Sequence, residues 1–236
     1  MEFRPLNAVG LVSGAGEEFL GTCFAFRHWD YFLTAAHCVG RREGDAVSVL
    51  CPGSPPRRRA VEIRRHPEAD LAVVRLEEQT PNLVQPFWGA VGNYGVGQDF
   101  AAFGFPDDAL GPDPLQPTPR LFKGHFQRFL DYGPPPLRYR AAELSVPSPR
   151  GLSGGPVFHA RRPVELLGMA TASVQSSTWP DVVETVEREG ERVVTTHHHV
   201  VSYGVALLLD RVGDWLDTYV PQVDRGVLAE RLSGQH

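Results

Sequence analysis

Apolar residues in this chain come in short bursts separated by glycine- and proline-rich punctuation. Residues 8–12, 19–26, 31–34, 46–50, 71–76, 100–105, 121–129, 156–158, 166–172 and 200–209 are rich in Val, Phe, Leu and Tyr. Several alternate apolar with polar positions, the period of a half-buried strand whose successive side chains point to opposite faces. Many short strands with turn signals between them predict a barrel or a sandwich. One stretch breaks the pattern: Leu208, Val212, Trp215, Leu216 and Tyr219 recur at helical spacing, predicting a helix over 207–219. The residues from Pro221 onward read as a short helix or a frayed tail. Segments 106–119 and 133–136 hold too many prolines for a continuous sheet and read as loops.

Length and charge narrow the classes. A chain of 236 residues can bury one long all-β domain or two small ones, and its 42% hydrophobic content is ordinary for a globular protein. The net charge is −5 and Lys123 is the single lysine, so nothing in the balance argues for nucleic acid. Arg57-Arg58-Arg59, after Pro55-Pro56, reads as a solvated loop. No run approaches the ~20 apolar residues of a membrane span, and no apolar leader is visible near the start. Three cysteines are too few for a disulfide framework. These features together predict a cytoplasmic protein with no membrane partner.

The candidate chemistry centres on "GLSGGPVF", residues 151–158, which sets one hydroxyl, Ser153, inside a glycine-rich turn. Glycine is costly in conformational entropy and is repaid where the backbone takes a shape other residues resist. The turn is either a plain tight turn or one whose backbone must approach something closely. A serine nucleophile needs a base, and the base needs an orienting group. Among nine histidines, His37 ends an apolar segment in "YFLTAAHCV", at the rim of a core. His66 and the run His197-His198-His199 are weaker candidates, and no carboxylate or cysteine stands at metal-ligand spacing beside them. Asp70 opens "DLAVVRL"; it is either an orienting carboxylate or a strand-start aspartate bonded to its own turn. Each signal is weak alone. Together they occur in the chain order His, Asp, Ser, one of the known triad orders.

"LTAAHC", "DLAVVRL" and "GLSGGPVF" resemble the three signature segments of the chymotrypsin-like (trypsin-like) serine peptidases. The likeness is greatest to the compact bacterial branch that includes the high-temperature-requirement proteases, and "GTCFAF", "VGQDFAAFGFP" and "YGVALLL" strengthen it. The resemblance spans residues 8–215. It implies an all-β fold of two packed six-stranded β-barrels with a C-terminal helix. Residues 1–88 would form the barrel carrying His37 and Asp70, residues 89–220 the barrel carrying Ser153 and the helix, and 221–236 a tail. It further implies an active site of His37, Asp70 and Ser153, an oxyanion hole from the N–H groups of Gly151 and Ser153, and a supporting hydroxyl at Thr171. No cofactor is implied.

Departures from that family matter as much. Leu152 stands where secreted zymogens carry an aspartate, so activation by insertion of a new N-terminus is not expected. Pro147, Ser173 and Gly204 occupy the specificity-pocket positions, with no charge to pair Arg or Lys; a small or medium apolar residue before the scissile bond is expected. Cys23 and Cys38 lie near the positions of a common family disulfide and are expected to stay reduced. Residues 175–200 alternate Val with charge, as a protruding hairpin that either gates the site, receives a partner or is merely solvated. Three functions stay open: an active serine endopeptidase on protein or peptide substrates, a latent protease switched on by a regulatory protein or by oligomerisation, and an inactive binding module.

Overall fold

Six strands in the first part of the chain curl until the first pairs with the fourth. They are β1 (Val9–Ser13), β2 (Phe19–Phe26), β3 (His28–Thr34), β4 (Ser48–Cys51), β5 (Ser54–Arg65) and β6 (Ala72–Leu76). All pairings are antiparallel, and the order β1-β2-β3-β6-β5-β4 closes where Leu11 meets Leu50. Six more follow: β7 (Asp99–Gly104), β8 (Arg120–Tyr132), β9 (Tyr139–Leu144), β10 (Pro156–His159), β11 (Arg162–Arg188) and β12 (Glu191–Leu208). Their order, β10-β11-β12-β9-β8-β7, closes where Val157 meets Ala102. Counted within each barrel, the two orders are the same. The duplication is one of topology, and no sequence repeat betrays it. The computed structural model describes residues 5–40, 46–51, 54–77, 86–87, 89–109, 117–188 and 191–222.

Burial explains why so many strands read as unbroken apolar runs. Each barrel has its own interior, built on Cys23, Phe32 and Val74 in the first and on Phe100, Phe126 and Leu167 in the second. A third cluster joins them, with Phe24, Leu33 and Leu71 of the first barrel beside Phe158, Met169 and Leu207 of the second. Strands β2 and β6 therefore bury both faces, which erases the polar half of the alternation. Burying this outer layer is what welds the barrels into one body.

Three elements differ from the sequence expectation. The helix α1 spans only Gly213–Tyr219, preceded by a 3₁₀ turn over Leu209–Val212. Leu207 and Leu208 instead pair with Met169 and Gly168 at the end of β12, because ladder hydrogen bonds outweigh a weak helical pattern. Strand β9 was hidden by its alanines, which carry little β preference. Strand β5 contains the arginine run expected to be a loop. There Arg58 is buried, donating to Asp30 and to the carbonyls of Trp29 and Glu77. The 175–200 segment is a hairpin: β11 and β12 stay paired out to Arg188 and Glu191, with register shifts on either side of Pro180. His197, His198 and His199 fall on β12, but their side chains, like residues 223–236, lie outside the described part.

Candidate active site

His37 is placed by its neighbours. After β3 the chain makes a 3₁₀ turn over Ala36–Val39, in which Cys38 and Val39 are buried and Cys38 N–H donates to the Ala35 carbonyl at 2.9 Å. The two buried side chains anchor the turn and leave the imidazole before them exposed. Asp70 is held the same way, between Ala69 and Leu71, which are 1% and 0% exposed. The two residues meet. His37 Nδ1 lies 2.7 Å from one Asp70 oxygen, and the His37 main-chain N–H donates to the other at 3.1 Å. One carboxylate oxygen thus holds the ring and the other the main chain of the same residue. The Asp70 hydrogen bond, helped by the Cys38 thiol and opposed by burial, raises His37 from 6.5 to about 10.

Ser153 sits on a turn whose glycines are required. Gly151 and Gly154 have φ of 90° and 87°, in the left-handed region. A Cβ on Gly154 would lie 1.9 Å from the Thr22 carbonyl oxygen, and one on Gly151 would lie 2.6 Å from that of Phe105. Here the backbone must approach closely, and the turn is not a plain one. Leu152 is 1% exposed within the second barrel's interior, so apolar burial anchors the turn at the position where zymogens carry a charge. The N–H groups of Leu152, Gly154 and Gly155 are bonded to main-chain carbonyls, whereas those of Gly151 and Ser153 donate to no described group. The Asp107 N–H takes the Arg150 carbonyl at 2.9 Å. Since carbonyl and N–H point oppositely across a trans peptide, this turns the Gly151 N–H the other way.

The serine hydroxyl donates to the main-chain carbonyl of Thr171 at 3.2 Å. Cys38, the residue after His37, lies 3.7 Å from the Ser153 carbonyl through its sulfur, so the two turns abut at the junction of the barrels. Thr171 has its hydroxyl between two other groups of the second barrel. Its hydroxyl donates to the Val205 carbonyl at 3.3 Å and meets the Tyr139 hydroxyl at 3.2 Å. What Thr171 presents to Ser153 is its backbone.

Around the specificity positions, the Ser148 N–H donates to Ser173 Oγ at 3.3 Å, and the Gly204 N–H donates to the Val146 carbonyl at 2.8 Å. A Cβ on Gly204 would come within 3.2 Å of the Ser148 Cβ. Ser173 and Gly204 are thus brought to one place by Val146 and Ser148, while Pro147 between them is exposed. Cys23, Cys38 and Cys51 are all buried free thiols.

Sequence reasoning missed Thr22. This fully buried threonine of β2 donates its hydroxyl to the Gly151 carbonyl at 2.8 Å and accepts from the Phe105 N–H at 3.0 Å. Its main-chain N–H donates to the Ser153 carbonyl at 2.9 Å. The available signal was a hydroxyl inside the apolar run "GTCFAF", where burial demands a partner.

Two six-stranded barrels of one topology, bridged at the serine turn, define the chymotrypsin-like architecture. The family model for the trypsin-like peptidase domain matches residues 21–169, and the chain belongs to that family. It is a serine protease, a hydrolase. Similar solved structures include the active form of the Rv3671c protease from M. tuberculosis, with TM-score 0.64 and 16% identity over 93% of this chain and 83% of that one. The apo MamO protease domain from Magnetospirillum magneticum matches with TM-score 0.61 and 17% identity over 89% of this chain and 96% of that one. The HtrA-type protease AlgW with a tripeptide matches with TM-score 0.58 and 18% identity over 87% of this chain and 57% of that one. At these identities the likeness is one of fold. No curated protein matches the chain.

Proposed function

We propose that this protein is a serine endopeptidase acting on protein or peptide substrates through His37, Asp70 and Ser153. His37 takes the Ser153 proton as the oxygen attacks the scissile carbonyl, then gives it to the leaving amine; water repeats the cycle on the acyl-enzyme. Asp70 holds the Nδ1–H tautomer and stabilises the imidazolium. The Gly151 and Ser153 N–H groups bind the developing oxyanion, a role worth roughly 3–4 kcal/mol per donor. The observation that carries this reading is the double hold of Asp70 on His37, at 2.7 and 3.1 Å. The uncommitted N–H groups beside Ser153 support it.

For the residue before the scissile bond we propose a small or medium apolar side chain. The groups that meet Ser173 and Gly204, from Leu144, Val146 and Ser148, are uncharged. A second reading, a latent protease switched on by a partner protein or by self-association, has one observation in its favour. Ser153 Oγ donates to the Thr171 carbonyl at 3.2 Å, so the resting hydroxyl is committed to a backbone acceptor. A fluorophosphonate probe applied to wild type and Ser153→Ala, followed by digestion of a peptide library, tests both. Labelling of wild type alone, with cleavage after small apolar residues, is expected. Labelling only after a partner is added transfers the case to latency, and none under any condition leaves a binding module. Dominant cleavage after Arg or Lys overturns the pocket assignment.

A further inference from the structure

His66 lies four residues before Asp70 in "RRHPEAD", and the proposed chemistry leaves it unused. Its Nδ1 accepts two main-chain hydrogen bonds, from the Glu68 N–H at 3.1 Å and the Ala69 N–H at 2.9 Å. The turn is closed behind it by the His66 N–H donating to the Leu71 carbonyl at 2.8 Å. The outer face of the ring packs edge-on against Trp215 of α1, with centroids 5.0 Å apart. A nitrogen that accepts two N–H bonds carries no proton, so the neutral Nε2–H tautomer is the one this turn demands. The ring therefore acts as the acceptor that folds residues 66–69 and delivers Asp70 to His37.

We propose that neutral His66 is a positioning residue for Asp70, and that a proton on its Nδ1 opens the turn and withdraws the carboxylate from His37. Protonation converts an acceptor of two N–H groups into a donor facing them, so both bonds are lost together. The charged and titratable groups on the elements that meet the ring are Glu68 and Asp70 in the turn, Arg64 and Arg65 on the strand before it, Asp214 and Asp217 on α1, and Arg138, whose N–H donates to the Glu68 carbonyl at 2.9 Å; of these Glu68 acts on the ring's charge. Burial is the leading influence and holds His66 below its ordinary value, with Glu68 opposing it. The turn is accordingly intact at neutral pH and opens in acid. The inference rests on the reading of Asp70 as the partner of the catalytic base.

Asparagine separates positioning from mere packing, because its side-chain oxygen accepts the same two N–H groups and does not titrate. The low-field proton between His37 Nδ1 and Asp70 is followed by NMR from pH 8 to pH 5 in Ser153→Ala, alone and combined with His66→Asn or His66→Ala. His37 remains charged across that range, so a change there reports His66. The resonance is expected to fade toward pH 5 with His66 present, to persist with His66→Asn, and to be weak throughout with His66→Ala. In parallel, the ratio of fluorophosphonate labelling rates, His66→Asn over wild type, is expected near one at pH 8 and at least about fivefold higher at pH 5. A resonance indifferent to His66→Ala, or one fading equally in His66→Asn, overturns the proposal. Absence of labelling in wild type strikes the endopeptidase reading, while the NMR arm still decides this one.

Discussion

The hydroxyl of Thr22 and the carbonyl of Gly151 are 2.8 Å apart, although 129 residues separate them and they belong to different barrels. The same threonine donates its main-chain N–H to the Ser153 carbonyl at 2.9 Å, and the Thr34 hydroxyl donates to its carbonyl at 2.7 Å. The barrel that bears His37 thereby grips the turn that bears Ser153. Thr22→Val keeps the shape and removes the hydroxyl, leaving the buried Phe105 N–H without its acceptor. It is expected to cost about 1–3 kcal/mol in urea denaturation and to slow active-site labelling. Unchanged stability and labelling would remove the joint from the account.

Gly154→Ala tests the close approach beneath the nucleophile. The added methyl meets a carbonyl oxygen at 1.9 Å and the backbone is at φ of 87°, so neither side can yield cheaply. A loss of about 3 kcal/mol or more is expected by urea titration. Gly97, with φ of 82° but open space around it, is the control for backbone strain alone.

The state of His37 sets the pH response. A general base must be neutral, so the labelling rate is expected to climb with pH up to about 10. Asp70→Asn removes the leading cause of the shift, drawing the midpoint down toward 6.5 and cutting the rate roughly 10³–10⁴-fold. For stability the sign follows from the raised folded-state value. While the His66 turn is closed, the His37–Asp70 pair stabilises the fold fully below pH 6.5, and that contribution fades as pH rises through about 10. Thermal melts of wild type and Asp70→Asn should therefore differ most just below neutral pH, where the His66 turn is still closed, and converge above pH 10.

Asp107 orients the Arg150–Gly151 peptide, proposed to serve the oxyanion hole, through one N–H. Asp107→Pro deletes that donor within a 3₁₀ turn whose dihedrals suit proline. Freed to rotate, the Arg150–Gly151 peptide can turn its N–H away, and a fall of about 10²-fold in kcat is expected. Asp107→Ala keeps the N–H and loses only an exposed ion pair to Arg150 at 3.1 Å, so its effect should be small. Equal losses in the two variants would contradict the assignment.

Asp30 and Arg58 form a buried ion pair between β3 and β5, with side chains 7% and 8% exposed. Asp30→Ala strands the guanidinium and should cost about 3–5 kcal/mol by denaturant titration. No change in cleavage chemistry is expected.

The residues proposed for the chemistry stood out in the sequence because each sits in an unusual local setting. Ser153 needs glycines at left-handed positions, and His37 and Asp70 need small or apolar neighbours that hold them at a rim. Those constraints are written within a few residues of each. Strand β5 was illegible because its arginines look solvated until Asp30, far away in the chain, is placed beside Arg58. Strand β9 and the shortened α1 were decided by which neighbours offered ladder bonds.

From the sequence alone came the alternation that demands strands, the glycine turn, and three segments in the order His, Asp, Ser. Tertiary structure alone decided how those segments are joined: two barrels of one topology, Thr22 clasping the serine turn, Asp107 turning a peptide, and Thr171 meeting Ser153 through its backbone. The reason is physical. Local backbone shape is set by neighbouring residues, whereas a hydrogen bond across two closed sheets depends on where every strand between them has been laid.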